Sequence, residues 1–269
     1  MSANPLFYRS VIPLNRDTHR EITIADAEDR YGFARETHVI PAVVDEFSAA
    51  LMHLPIVFAP ASPHPSPVFL VGVRPTQNLF IDPMGRWTGH YVPAFVRRYP
   101  FMRGTINGGD PITCVDEKSD MVGAPSGVRL FEADGGDTPF LRNRIELVDQ
   151  YYISARKTER FAARIAQLGL LRQVTIETNV GKDASSVIHG FMTIDEEKLN
   201  HLPDCDFVSL REDGFLNALY AHLFSLRALD VLRRMLVERP DRGEISTETG
   251  YAAEVQDTTG SKKSRKHGT

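Results

Sequence analysis

The chain has 269 residues, 42% hydrophobic and 25% charged, a composition that excludes disorder over most of its length. Its net charge of -4 gives no overall attraction to nucleic acid or anionic lipid, so nucleic acid is excluded as a predicted partner. The two cysteines, Cys114 and Cys205, are too few for a disulfide framework or a cysteine-rich zinc site, and they indicate reduced thiols in a cytoplasmic protein.

The first half of the chain predicts short β-strands separated by turns. Brief apolar or β-branched runs, each bounded by proline or charge, cover residues 7–14, 38–42, 55–59 and 68–73. The proline-rich segment 60–67 predicts a stiff, solvated connector, because repeated proline blocks both helices and strand pairing. Residues 82–85, Asp-Pro-Met-Gly, fit a type I turn that follows a strand ending near Ile81.

A long amphipathic helix is predicted after residue 138. Thr138 suits the N-cap, and Pro139 suits the first helical position. Apolar residues recur at steps of three and four from Leu141 to Leu168, and Gly169 stands where a helix-terminating glycine belongs. Unbroken, this helix is about 45 Å long.

Alternating residues at 173–179 and 187–194 predict a β-hairpin, and Asp195 caps a short helix after it. A leucine stripe predicts a last helix over 215–237. The predicted fold class is therefore α+β, with antiparallel N-terminal strands, a hairpin and two long helices in one compact domain of residues 1–240. Residues 241–269 are polar with a basic end, and they predict a disordered tail.

The sequence lacks the common catalytic and cofactor motifs. No GxGxxG, phosphate-binding loop, GxSxG or HExxH pattern occurs, and the nine histidines are scattered. We therefore predict no metal, no cofactor and no catalytic residues. The N-terminus has no basic segment followed by a long apolar run, and no apolar stretch reaches the roughly 20 residues of a membrane-spanning helix. No membrane insertion is expected.

One segment, residues 78–101, concentrates aromatic and arginine side chains and includes the single tryptophan. Such side chains combine a large contact area with directional polar groups, which is typical of binding surfaces, although aromatic residues also dominate ordinary cores. The residues predicted to bind a ligand or partner are Asn78, Asp82, Trp87, Tyr91, Arg97, Arg98 and Tyr99.

The same segment resembles the SapC family of bacterial proteins. The first block of the resemblance holds Asn78-Leu79-Phe80, Asp82, Gly85, Trp87, Tyr91-Val92-Pro93 and Arg97-Arg98-Tyr99-Pro100-Phe101. Two later blocks hold Leu130-Phe131, Thr138-Pro139, Thr158, Phe161, Leu168-Gly169-Leu170-Leu171, Gly190-Phe191 and Ile194-Asp195-Glu196-Glu197-Lys198-Leu199. The resemblance covers roughly residues 5 to 238 and is specific as a set, but none of its motifs is a catalytic signature.

The resemblance implies a link to surface-layer biology or to a nutrient-uptake system, and it supplies no catalytic residues. The leading hypothesis is a non-catalytic binding or accessory protein whose partner is a protein or a small molecule. An alternative is an enzyme whose unfamiliar site combines Asp82, His90, Tyr91, Arg97 and Arg98 in space. A third is a structural surface-layer protein. The oligomeric state is left open.

Overall fold

The structure is a computed structural model that describes residues 5–25, 31–105, 109–179, 185–238 and 255–257. Its α-helices are α1 (Phe47–Ala50), α2 (Ala94–Arg97), α3 (Pro139–Gln167), α4 (Glu196–Asn200), α5 (Asp204–Glu212), α6 (Leu216–Ser225) and α7 (Leu229–Glu238). Its strands are β1 (Val11–Pro13), β2 (Thr23–Ile24), β3 (Val39–Pro41), β4 (Ile56–Ala59), β5 (Ser66–Leu70), β6 (Phe101–Gly104), β7 (Ile112–Asp116), β8 (Val128–Arg129), β9 (Leu171–Asn179), β10 (Ser185–Ile194) and β11 (Val255–Asp257).

The strands form three sheets, and every described pairing is antiparallel. The largest sheet has the order β11-β9-β10-β4-β5-β3, a smaller one has the order β1-β7-β6, and β2 pairs with β8. The predicted α+β class and the hairpin of β9 and β10 are confirmed. The strand predicted over 7–14 is shorter than expected, and the connector after β4 ends at Ser66, which already pairs with Ala59.

The core lies where α3 and α6 meet the largest sheet. Strand β4 is buried on both faces, since Ile56, Val57 and Phe58 are all 0% exposed. The ring of Phe161 from α3 lies 6.3 Å from that of Phe58 and 5.4 Å from that of Phe215. One hydrophobic cluster runs from Tyr8 to Leu232, so the described residues up to Glu238 fold around a single core.

Helix α3 begins and ends as the sequence predicts. The Thr138 hydroxyl accepts a hydrogen bond from the backbone N–H of Leu141 (3.2 Å), and Pro139 is the first helical residue. Gly169 adopts a left-handed φ of 64°, which ends the helix at little steric cost. Its 29 residues span about 43 Å and carry one face into the core.

The last predicted helix is present but interrupted. A 3-10 turn at Leu226–Ala228 separates α6 from α7. At this point the Ser225 hydroxyl donates to the carbonyl of His222 (2.6 Å) and accepts from the backbone N–H of Ile56 (3.0 Å). A serine that bonds to the preceding turn competes with the helical backbone, which accounts for the tightening here.

Most of the tail predicted over residues 241–269 lies outside the described residues. Its three described residues form β11, which pairs with β9 opposite Ile176, Thr175 and Val174. The boundary near residue 240 stays a prediction. Within the described ranges, no helix has both the length and the apolar character needed to cross a bilayer.

Candidate functional site

Asn78 fixes the path of the chain at the start of the aromatic segment. Its side chain is buried, its Nδ2 donates to the carbonyl of Ala34 (2.9 Å), and its Oδ1 accepts from the backbone N–H of Phe80 (2.9 Å). The amide is therefore bonded inside the fold rather than presented to solvent.

Asp82 organises the turn that was predicted over residues 82–85. The backbone N–H of Gly85 donates to the carbonyl of Asp82 (3.0 Å), and Arg86 donates to the carboxylate from its backbone (2.9 Å) and its Nε (2.8 Å). The pKa of Asp82 is lowered chiefly by the backbone N–H of Arg86 and then by the Arg86 guanidinium, although burial opposes this shift. The carboxylate is thus occupied by its own turn.

Trp87 forms an outer layer of the core. Its ring stacks on Phe80, with ring centres 5.3 Å apart and planes 13° apart, and the ring of Tyr31 meets it edge-on at 6.3 Å. The indole is partly buried. Trp87 therefore packs against both Phe80 and Tyr31.

Tyr91 is bonded to a buried carboxylate that the sequence did not single out. Its hydroxyl donates to Glu46 Oε2 (2.8 Å), which also accepts from the backbone N–H of Ala94 (2.8 Å), while Glu46 Oε1 accepts from the backbone N–H of Val43 (3.1 Å). Burial raises the pKa of Glu46, and these hydrogen bonds oppose that shift. The Glu46 carboxylate anchors the start of α2 and so positions the arginines that follow.

Arg98 lies in the interior among aromatic rings. Its side chain is buried, with the guanidinium carbon 4.4 Å from the ring centre of Phe95, 4.3 Å from that of Tyr151 and 5.5 Å from that of Tyr8. No carboxylate pairs with it in the part of the chain that the structure describes. Arg98 is therefore a core residue held by cation–π contacts.

Arg97 and Tyr99 lie on either side of Arg98 in the sequence, and their surroundings differ from those of Arg98. Arg97 is exposed, and its Nε donates to the carbonyl of Val92 (3.0 Å). Tyr99 stacks on Phe33 with ring centres 4.1 Å apart, and its hydroxyl donates to Asp116 (3.0 Å). Burial raises the pKa of Tyr99 to about 12.

Arg97 and Tyr99 line a surface cleft of about 240 Å³ between α2 and α3, which we call the arginine cleft. The full lining is Tyr31, Phe33, Val96, Arg97, Tyr99, Arg144 and Leu147. Arg144 enters from α3, where its guanidinium lies 4.9 Å from the Phe140 ring centre and its Nη1 is 3.5 Å from the Arg97 carbonyl. An ion pair between Arg103 of β6 and Asp149 of α3 helps to fix the helix that carries Arg144.

The chemistry of the arginine cleft favours binding of an anionic group. Neither Arg97 nor Arg144 forms an ion pair among the described residues, although Arg97 also hydrogen-bonds with Tyr91 and its charge lowers the pKa of Glu46. The N–H donors that remain suit a carboxylate or phosphate. The stacked rings of Phe33 and Tyr99 supply a flat apolar floor. Among the described residues, the lining contains no serine, cysteine, histidine, aspartate, glutamate or lysine, so its only proton-transfer groups are the hydroxyls of Tyr31 and Tyr99.

The structure brings together two of the seven predicted binding residues, Arg97 and Tyr99. Asn78, Asp82, Trp87, Tyr91 and Arg98 do not line the cleft, and a binding role for any of the seven stays a prediction. Sequence reasoning missed Tyr31, Phe33 and Arg144, which come from distant segments. No local pattern marks them, since Arg144 is one of several charged residues along α3.

The five groups of the enzyme alternative do not share this cleft, because only Arg97 lines it. The His90 ring instead lies 5.5 Å from that of His53. Across the described residues, no group of three or more histidine, cysteine, aspartate or glutamate side chains could hold a metal ion.

Comparison with known proteins identifies the family. No curated protein and no solved structure matches the chain significantly. The SapC family model matches residues 14–232, which spans most of the chain and includes α2, the arginine cleft and α3. The chain therefore belongs to the SapC family.

Proposed function

We propose that this SapC-family protein is a non-catalytic accessory protein that binds an acidic segment of a partner protein at the arginine cleft. The observation that carries the proposal is the pair of guanidinium groups, from Arg97 and Arg144, that flank an aromatic floor and form no direct ion pair among the described residues. A bidentate contact to a carboxylate is the interaction that such groups make best.

The size and rigidity of the cleft support recognition of a partner side chain. A volume of about 240 Å³ accommodates a side chain or two but is below the usual size of small-molecule sites. The Phe33 and Tyr99 rings are stacked, and Tyr99 is bonded to Asp116. The aromatic floor is therefore ordered before binding, and the loss of side-chain freedom on binding is confined to the arginines.

A peptide titration tests the proposal. A fluorescein-labelled peptide of alternating glutamate and phenylalanine is compared with its glutamine counterpart by fluorescence anisotropy. We expect the glutamate peptide to bind more tightly, and we expect the double variant Arg97→Ala, Arg144→Ala to lose about tenfold or more in affinity. Cross-linking in the native host, followed by mass spectrometry, then identifies the natural partner.

The matched control is Arg156→Ala, which removes the same charge from an exposed position on α3 where Arg156 pairs with Glu159 (3.5 Å). This variant should bind as the parent protein does. Equal affinity for the glutamate and glutamine peptides, or equal losses in the control and the double variant, would contradict the proposal. Links to nutrient uptake or a surface layer, and the cytoplasmic location, stay predictions.

A second candidate function is catalysis, and the buried Glu46–Tyr91 pair is the observation that favours it. Burial raises the pKa of Glu46, as in many carboxyl groups that act as acids. However, three protein donors already occupy its two oxygens, so it resembles an anchor more than a proton-transfer group. If Glu46→Gln folds and still binds the glutamate peptide, the carboxylate is not needed for recognition.

A further inference from the structure

A second and larger cavity lies beside Tyr151, one of the rings that contact the Arg98 guanidinium. It is bounded by the end of β3, the loop between β4 and β5, and one stripe of α3, and its volume is about 480 Å³. This volume is twice that of the arginine cleft and falls within the usual range of small-molecule sites.

The walls of this cavity are largely apolar and stiff. Four prolines, Pro41, Pro63, Pro65 and Pro67, form one side, and Ala155 and Ala162 of α3 form the other. Proline has a fixed φ, so this side has little freedom to lose on binding, although Ser62, His64 and Ser66 between the prolines also line it. The walls therefore suit an apolar ligand body.

The lining also lacks the charges that would attract an ion. Among the described residues of the lining, Glu159 alone is formally charged, and its carboxylate is largely exposed and lies 3.5 Å from the guanidinium of Arg156. None of the described residues that line the cavity is an arginine or a lysine. An anionic ligand, the kind that suits the arginine cleft, would find neither arginine nor lysine here, so an uncharged ligand fits better.

Tyr151 supplies one polar contact in this apolar setting. Its ring is fixed by the Arg98 guanidinium at 4.3 Å and by the Phe95 ring at 5.9 Å. Its hydroxyl has no hydrogen-bond partner among the described residues. The hydroxyl oxygen is not fully buried, so a ligand can reach it. Burial raises the pKa of Tyr151 to about 12, so the hydroxyl keeps its proton and remains a donor.

We propose that this cavity binds a small, uncharged, largely apolar molecule whose hydrogen-bond acceptor meets the Tyr151 hydroxyl. The site is separate from the arginine cleft, because the two linings share no residue. The ligand class follows from the volume, the largely apolar walls, the scarcity of charge and the Tyr151 donor.

Fluorine NMR with three matched probes tests this assignment on the full chain. para-Fluoroacetophenone has an apolar body and one neutral acceptor, para-fluoroethylbenzene has the same shape without the acceptor, and para-fluorobenzoate carries a charge. We expect saturable binding of the ketone, weaker binding of the hydrocarbon, and the weakest binding of the benzoate. The double variant Arg97→Ala, Arg144→Ala should bind the ketone as the parent does, which separates this test from that of the arginine cleft.

Two substitutions locate the binding. Ala155→Leu fills part of the cavity from a half-buried position and should weaken all probe binding by about tenfold. Tyr151→Phe removes only the hydroxyl and should weaken ketone binding by about fivefold, the loss of one hydrogen bond, while hydrocarbon binding is unchanged. The control Tyr152→Phe alters the adjacent, exposed tyrosine of α3, which does not line the cavity.

The proposal is overturned if the ketone does not saturate at millimolar concentration, or if Ala155→Leu binds it as the parent does. It is also overturned if the benzoate binds as tightly as the ketone. An equal loss for ketone and hydrocarbon in a folded Tyr151→Phe variant would remove the hydroxyl from the site. Melting curves of each variant, recorded by circular dichroism, show that a lost signal is not a lost fold.

Discussion

The guanidinium carbon of Arg98 lies 4.3 Å from the ring centre of Tyr151, deep enough that only 7% of Arg98 is exposed. Its neighbours are aromatic faces rather than a carboxylate, at least among the described residues. The rings attract the cation and offset part of its desolvation cost. Arg98 is therefore a stability residue, unlike the exposed Arg97 beside it.

Substitution of Arg98 should show that its stacking on aromatic rings, rather than its charge, stabilises the fold. We expect Arg98→Lys to lower the free energy of unfolding by about 2–3 kcal/mol, because a compact ammonium is more strongly hydrated and does not stack. Arg98→Met should cost less, about 1–2 kcal/mol, because it strands no carboxylate. Urea denaturation measures both, with the exposed Arg97→Met as a control. A larger loss for methionine than for lysine would contradict this account.

The fold was predictable where its signals are local. The N-cap Thr138, the apolar repeat and Gly169 lie within one element, and α3 follows from them. Strands β6 and β7 and helix α5 were not predicted. Strand β7 pairs with β1 through Val11 and Asp116, so its partner lies far away in the sequence, and short strands of this kind carry little pattern of their own.

The candidate site was predictable only in part, for a related reason. Composition singles out residues 78–101 but cannot separate Arg97 from Arg98. Adjacent residues of a helix point about 100° apart, so one arginine faces solvent and the other faces the core. Tyr31, Phe33 and Arg144 reach the cleft only through tertiary packing, which a single sequence does not display.

The anchoring role of Glu46 predicts a difference between two conservative substitutions. Glu46→Gln should destabilise the protein by about 2–3 kcal/mol, since an amide NH₂ would replace an acceptor and face a backbone N–H. Tyr91→Phe removes a single donor and should cost about 1 kcal/mol. Chemical denaturation of both variants and the double variant measures the coupling. Strict additivity of the two losses would contradict a direct bond between these side chains.

Removal of residues 241–269 should have a small effect on stability. The described contact of this segment with the domain is β11, a strand of three residues at the sheet edge. We expect a protein that ends at Pro240 to melt within about 5 °C of the full chain, measured by calorimetry. A larger decrease would show that the segment is part of the folded domain.

His222 predicts the dependence of stability on acidity. Its ring is fully buried (0% exposed), 5.0 Å from the Phe58 ring, and its Nε2 accepts from the backbone N–H of Ile194 (3.1 Å) and lies 2.8 Å from the Thr193 hydroxyl. Burial lowers the pKa of His222 from 6.5 to about 3. The imidazole therefore stays neutral in the folded state under conditions in which it is protonated in the unfolded chain.

Between about pH 6.5 and pH 3, the unfolded chain thus holds one more proton at this position than the folded chain does. Acidification through that window favours unfolding by about 1.4 kcal/mol per pH unit from this group alone. Glu46 acts in the opposite sense, because its raised pKa favours the folded state as the pH falls.

A comparison with His222→Gln isolates the histidine, since Glu46 is common to both proteins. We expect the free energy of unfolding, measured in urea from pH 7 to pH 4.5, to fall more steeply with acid in the parent than in the variant. The two slopes should differ by about 1.4 kcal/mol per pH unit, the contribution of one proton. Parallel curves would mean that His222 titrates alike in the folded and unfolded states, and that its ring is not sealed in the core.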